Sequence, residues 1–352
     1  DGVVSDREMV DFHPTRDAGL ARLTQFASRT GRTYARQRNY DFGPDRRGNV
    51  SALSPWIRHR LLSEEEILQA VLARQSPAAA EKFVQEVFWR GYFRGWLEQR
   101  PSVWTAYQSG LVRALDDADG NPDLAERLAQ ATQGRVGIDC FDTWARELVE
   151  TGYLHNHARM WFASIWIFTL RLPWELGADF FLRHLMDGDA ASNTLSWRWV
   201  AGLHTKGKTY LARADNIAKY TDGRFAPARG LVSAAAPLEE QIEYPRLPIR
   251  PSGRMPDGDV ILLITEDDST PEEWVPRSPA GVFAVDFTDR RSPLPIGDRA
   301  MAFTAGALRD AAMRNGAEGK EPMVGPALVE TISQFAQQSG VRDVVVSEAF
   351  AG

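Results

Sequence analysis

Between residues 13 and 235 apolar positions recur at three- and four-residue spacing with polar positions between them, and β-branched alternation is nearly absent. That period belongs to amphipathic helices packed on a shared core. The stretch Ser63–Leu97 opens with Ser63 and the run Glu64, Glu65, Glu66, a capping-box-like start, and continues at helical spacing. Residues 139–186 repeat the texture. The longest apolar run, Met160 to Leu170, is interrupted by Ser164 and Thr169. It falls short of the roughly 18 apolar residues that a membrane helix needs and reads as a buried helix.

The pattern changes at 237–256, where Pro237, Pro245, Pro248, Pro251 and Pro256 crowd together in what reads as a linker. Beyond it Val260–Thr265, Gly281–Phe287 and Val344–Ser347 are short β-branched runs that predict strands. Ala300–Arg314 and Gly325–Gln338 predict helices between them. Alternating strand and helix implies a small parallel sheet. The expected organisation is mostly α: a helical domain over 1–235, a linker over 236–256 and a small α/β domain over 257–352.

Composition, 43% hydrophobic and 25% charged, is ordinary for a soluble globular protein. The single cysteine, Cys140, excludes an internal disulfide and a cysteine-ligated iron–sulfur cluster. The start, DGVVSDREMVDF, lacks the charged-then-apolar design of a secretion leader, so a cytoplasmic protein is expected; a monomer that binds no membrane is expected as well. The net charge of −6 is unevenly spread. From Asp257 onward sixteen acidic residues face eight basic ones, leaving the rest of the chain slightly positive. Residues 30–60 hold seven arginines against Asp41 and Asp45. Residues 198–230 hold Arg198, Lys206, Lys208, Arg213, Lys219, Arg224 and Arg229 against Asp215 and Asp222. Such windows are either solvated helix faces or nucleic-acid contacts, because affinity for phosphates follows local positive surface. In the second reading Lys206, Lys208 and Arg213 are candidate DNA contacts.

Four segments carry candidate chemistry. In GNVSALSPW, Gly48–Trp56, Ser51 and Ser54 precede Pro55 and a helix start, which suits either an ordinary cap or a phosphate cradle. In QEVFWRGYF, Glu86, Trp89, Arg90 and Phe93 share one helical face, a carboxylate, indole and guanidinium that suit a flat polar ring. A core aromatic beside a surface ion pair is the plain alternative. In TGYLHNHARM, Thr151–Met160, Asn156, Arg159 and Met160 share a face, while His155 and His157, two apart, diverge and have no third ligand, so no metal is expected. In DGDAASNTLSWRW, Asp187–Trp199, Asn193 and Trp197 face the same way, and the remaining spaced oxygen ligands of a calcium loop are missing.

The order and internal spacing of these segments resemble the FAD domain of photolyases and cryptochromes across residues 12–235. The family's phosphate loop Thr-Ser-Arg-Leu-Ser-Pro stands here as Val50 to Pro55, and its upstream Tyr-x-x-x-Arg as Tyr34 and Arg38. The Glu-x-x-Trp-Arg helix is Glu86, Trp89 and Arg90. The Thr-Gly-x-x-His-Asn-x-x-Arg-Met block is Thr151 to Met160. The block Asp-Gly-Asp-x-x-x-Asn-x-x-x-Trp-x-Trp falls on Asp187, Asp189, Asn193, Trp197 and Trp199.

The resemblance implies a bent FAD, reduced for activity, with Tyr34, Ser51 and Ser54 at its diphosphate and Arg90 as an anchor. It implies Arg159 and Asp187 paired beside the isoalloxazine, Asp189 bonding the ring edge and Asn193 facing N5. An amide at that last position is typical of photolyases; plant cryptochromes usually carry an acid there and animal ones commonly a cysteine. Trp89 and Trp199 correspond to the two walls of the dimer pocket, Glu86 to the acid that bonds the flipped base, and Asn156 and Met160 to further pocket positions. Met160 favours the cyclobutane dimer over the (6-4) lesion. Trp197 and Trp174 correspond to the first two members of the electron relay. The third has no tryptophan counterpart over 105–138, so either another aromatic such as Trp104 or Tyr107 serves or the relay is incomplete. Val50 and Ala52 depart from the phosphate-loop pattern. LLITEDDSTPE, VFAVDF and GVRDVVVSEAF resemble pieces of the family's α/β antenna domain, at 96 residues too short for a complete one, so no antenna chromophore is expected. The implied activity is light-driven splitting of cyclobutane pyrimidine dimers in UV-damaged DNA, single- or double-stranded. A cryptochrome-like blue-light sensor, or a redox flavoprotein without repair, is the alternative.

Overall fold

A computed structural model describes residues 7–226, 229–275, 278–317, 319–325 and 327–348. The first six residues of the segment read for a leader, and the last two of GVRDVVVSEAF, lie outside the described residues.

The helical part begins with α1 (Arg16–Ala27), α2 (Arg32–Gln37), α3 (Ser54–Arg58) and α4 (Glu64–Leu72). The expected capping box at Ser63 is present, with Ser63 and Glu66 exchanging side-chain and backbone bonds. The stretch 63–97, read at helical spacing, is two helices, the second of which, α5 (Pro77–Glu98), starts at Pro77, where the missing N–H costs nothing. Then follow α6 (Pro101–Gly120), α7 (Pro122–Thr132), α8 (Asp139–Thr151) and α9 (Asn156–Ser164). The buried run Met160–Leu170 is α9 continued by a π turn over Ile165–Thr169. The last helices of this part are α10 (Trp174–His184), α11 (Ala190–Ala201) and α12 (Ala214–Tyr220). No helix among the described residues is long and apolar enough to cross a membrane.

Three parallel strands, β1 (Val260–Ile264), β2 (Gly281–Ala284) and β3 (Asp343–Val346), form a sheet in the order β2-β1-β3. One face packs on α13 (Asp298–Arg314) through Leu308, Ala311 and Ala312. The other packs on α14 (Ala327–Ser339) through Ile332 and Phe335. Buried on both faces, β1 reads as the unbroken apolar run Val-Ile-Leu-Leu-Ile.

The α/β unit packs directly on the helical part. Phe303 and Ala307 of α13 lie in the helical core with Trp56 and Leu53, while the next turn of the same helix lines the sheet. Residues 237–256 carry no helix or strand, yet Leu238 N–H donates to Ala201 O at 2.9 Å and Leu247 N–H to Gln99 O at 2.7 Å. The linker is therefore a strap laid along the ends of α5 and α11.

Candidate functional site

Helices α5, α9 and α11 form most of the wall of a cavity of about 610 Å³, completed by residues of α3 and α10 and by the turn at 187–189. Ser76 caps α5, accepting from Ala79 N–H, and the helix face predicted from spacing, Glu86, Trp89, Arg90 and Phe93, lines one side. His155 Nδ1 caps α9 by accepting from His157 N–H at 3.1 Å, which sets Asn156, Arg159 and Met160 on a second side. Asp189 caps α11, accepting from Ser192 N–H at 2.8 Å, and Asn193, Trp197 and Trp199 complete the wall.

The floor is charged. Asp187 Oδ2 accepts from Arg159 Nη2 at 2.8 Å and from the Ser54 hydroxyl. Its other oxygen, Oδ1, is buried without a hydrogen-bond partner, as is Nε1 of Trp197. Two orphaned polar atoms on one cavity wall call for a ligand or water that satisfies them. A ring with a polar N–H edge fits the carboxylate oxygen, which is what the isoalloxazine of FAD offers. The side-chain nitrogen of Asn193 donates to Ala178 O at 2.8 Å, fixing that amide against the wall.

Asp189 is held within the protein. Its Oδ1 accepts from Arg94 at 3.0 and 3.1 Å, and Arg90 stands 3.9 Å away. Burial pushes this carboxyl up, but the guanidinium groups of Arg94, Arg90 and Arg58 overcome that and hold it far below the usual carboxylate range. Arg90 itself is brought down to about 10 by burial, with Asp189 opposing and the neighbouring Arg94 and Arg58 adding to the fall. Arg90 Nη2 donates to Arg58 O at 3.3 Å.

The mouth is aromatic. Trp89, 50% exposed, stacks on Phe93 with centroids 5.8 Å apart and meets Tyr92 edge-on. Across the opening Trp199, 36% exposed, stacks on Tyr210 at 5.7 Å. Glu86 is ion-paired with Arg38, which ties the two separate sequence motifs together.

Several candidate residues lie off the cavity. Tyr34 is buried between Phe26 and Phe83. Ser51 offers its carbonyl to Arg22 Nε at 2.8 Å, and the tight turn there is wound by Ala52 in the left-handed region, φ 52°. Lys206, Lys208 and Arg213 are exposed, the last paired with Asp215 at 3.1 Å. Within the basic windows Arg47, Arg58 and Arg198 are neither solvated nor free for phosphates: each is buried in an ion pair, with Glu147, Glu266 and Glu240 respectively. Trp174 is buried at the start of α10, 5.8 Å from Tyr107, which is 5.0 Å from the half-buried Trp104. Arg94 was not anticipated, although it sits one turn beyond Arg90. Arg58 and His204 gave no signal in the chain, since their neighbours come from segments remote in sequence.

The family model for the FAD binding domain of DNA photolyase matches residues 83–225. The deoxyribodipyrimidine photo-lyase of Streptomyces griseus is 31% identical over 239 residues, covering 62% of this chain and 50% of that protein. The one from Escherichia coli is 29% identical over 203 residues, 56% of this chain and 42% of that protein. The chain thus spans half, or less, of the length of these relatives. Among solved structures, a cryptochrome of Synechocystis sp. PCC6803 superposes with a TM-score of 0.50 at 25% identity, covering 63% of this chain and 46% of that one. A class III photolyase from Agrobacterium tumefaciens, 24% identical, also has a TM-score of 0.50 over 60% of this chain and 43% of its own, and so shares the fold. Residues 83–225 thus carry an FAD-binding domain of photolyase type, and in sequence and fold the chain is similar to the photolyase/cryptochrome family.

Proposed function

We propose that this protein holds FAD in the cavity and uses light to split cyclobutane pyrimidine dimers in UV-damaged DNA, acting as a monomer on single or double strands. The observation that carries the reading is the pair of half-exposed indoles, Trp89 and Trp199, on the wall of the same cavity whose floor is the Asp187–Arg159 ion pair. Flipping a dimer out of the stack costs a few kcal/mol, and each base stacked on an aromatic wall returns roughly 1–3 kcal/mol. Bound reduced FAD would supply, after excitation, the electron whose donation opens the cyclobutane ring, and would take it back once the ring has split. Asp187 and Asn193 orient the ring system at the floor; Glu86, braced by Arg38, and Asn156 offer polar groups to the exposed base edges; Met160 lends an apolar surface. Electrons reach the cavity along Trp104, Tyr107, Trp174 and Trp197, the last packed on Gly177, one turn from Trp174.

The test is repair of dimer-containing single-stranded DNA by the FAD-loaded, reduced protein. Thymine monomers should form under blue or near-UV light and not in darkness. Tight binding of the damaged strand with no illuminated turnover would overturn repair in favour of a light sensor or redox flavoprotein.

A further inference from the structure

The cavity has a neighbour that the repair reading does not use. A second hollow of about 510 Å³ lies where the strap crosses the ends of α5 and α11. Its inner wall is Trp96 of α5 with Arg100, Leu203 and Lys206 just beyond the ends of α5 and α11; its outer wall is Ile242, Tyr244 and Pro245 of the strap. The strap is held there by its two backbone bonds and by Glu240, which takes both Arg198, at 3.0 Å to one nitrogen, and the Tyr244 hydroxyl at 2.9 Å. That pairing consumes the acid nearest the floor of the hollow. Glu243, exposed on the strap, also lines the hollow, so outside the Arg198–Glu240 pair its charge is two cations, Arg100 and Lys206, against one acid.

His204 lines both hollows. Its ring meets Phe93 at 6.2 Å on one side and Trp96 at 4.8 Å on the other, and its Nδ1 is buried without a hydrogen-bond partner. Trp89, Phe93, Trp96 and Arg100 follow one another at four-, three- and four-residue steps, so a single stripe of α5 runs from the mouth of the first cavity into the second. Arg100 lies 4.5 Å over the Trp96 ring and has no carboxylate partner among the described residues; neither has Lys206. Aromatic platforms alternating with cations along a groove are the chemistry of single-strand binding, in which bases stack and phosphates meet basic side chains.

We propose that this hollow is a subsite for the nucleotide adjoining the dimer, its base between Trp96 and the apolar face of the strap and its phosphate between Arg100 and Lys206. The proposal rests on the dimer reading of the first cavity and extends it to one flank of the substrate strand. It makes substrate length, on one side only, a determinant of affinity.

The experiment compares a bare thymidine dinucleotide dimer with dimers carrying three extra nucleotides on the 5′ side alone or the 3′ side alone. Binding is measured in the dark, and repair under light, with the FAD-loaded full chain. Wild type should bind one flanked substrate at least tenfold more tightly than the bare dimer and the other hardly better. Trp96→Leu and Arg100→Gln should each erase most of that gain, about tenfold for Trp96→Leu, while flavin content and repair of the bare dimer stay at wild-type levels; Lys206→Gln should erase it too, with flavin content unchanged. If Trp96→Leu fails to fold, the two charge variants carry the test. No gain from either flank in a wild type that repairs the bare dimer would overturn the subsite alone. A gain that survives all three substitutions would do the same. A wild type that neither binds nor repairs even the bare dimer would instead overturn the dimer reading itself.

Discussion

Glu147 is buried beside Asp41, Arg47 and His155, outside the cavity wall. Arg47 Nη2 donates to its Oε1 at 2.5 Å, while Oε2, Nη1 of Arg47 and Nε2 of His155 are buried without partners. Asp41 is better served: Trp144 Nε1 donates to it at 3.0 Å and Gly43 N–H at 3.1 Å, and it stays charged. Burial, reinforced by Asp41, pushes the Glu147 carboxyl up to about 7 from 4.5. Between those values the native protein keeps a proton that the unfolded chain releases. The stability this group contributes is therefore full below about pH 4.5 and is lost as pH rises through about 7. The difference corresponds to on the order of 3 kcal/mol. Glu147→Gln should remove that slope, so its stability relative to wild type should climb steadily between about pH 5 and 7.5 in urea denaturation. His155, held neutral by burial, contributes the opposite slope in both proteins, so the difference between them is the readout. A pH-independent difference would show that Glu147 is ionised throughout.

Helices α10 and α11 approach closely because Gly177 has no side chain. A Cβ there would lie 2.4 Å from the outer edge of the Trp197 indole and 2.9 Å from Trp166. Trp197 is fixed by that contact, by Phe181 at 5.1 Å and by Trp166 at 6.2 Å. Gly177→Ala should cost about 1–3 kcal/mol through overpacking despite the better helix propensity of alanine. It should also move the indole, read as a shifted tryptophan emission; unchanged stability and emission would mean the helices separate freely. Such helix-on-helix detail was invisible in the chain, where Gly177 is one glycine among twenty-eight. What was legible is whatever depends on a single helix. The faces Glu86–Trp89–Arg90–Phe93 and Asn156–Arg159–Met160 follow from the 3.6-residue period and line one cavity as that period requires. The strands of the sheet lie within three residues of their expected ends, since a buried parallel strand shows as an apolar β-branched run. The basic windows misled because charge counts do not tell a solvated arginine from one buried against a glutamate from a distant segment.

At the scale of the whole molecule, Arg58 joins the α/β unit to the floor of the cavity. Its Nη2 donates to Glu266 at 2.8 Å, its Nη1 to Asp267 at 2.8 Å and its Nε to Gly188 O at 2.7 Å. Gly188 is the residue between Asp187 and Asp189, so carboxylates just beyond β1 brace the turn on which both cavity acids ride. Glu266 also takes Arg291 at 3.1 Å. Burial works against its charge, but Arg291 and Arg58 prevail and hold its carboxyl at about 2. Glu266→Gln would leave the buried Arg291 with no carboxylate partner and Arg58 with Asp267 alone, which should destabilise the fold by about 3–5 kcal/mol. The exposed pair Arg309–Glu321, 2.6 Å apart, is the control: Glu321→Gln should change stability by less than about 1 kcal/mol. If the α/β unit braces the site, the Glu266 variant should also retain less flavin after purification, read from the visible absorbance per chain at a temperature where it is still folded. Full flavin retention alongside the stability loss would mean that the turn at Gly188 stands without the second unit; equal stability of the two variants would mean that the buried network contributes no more than a surface pair.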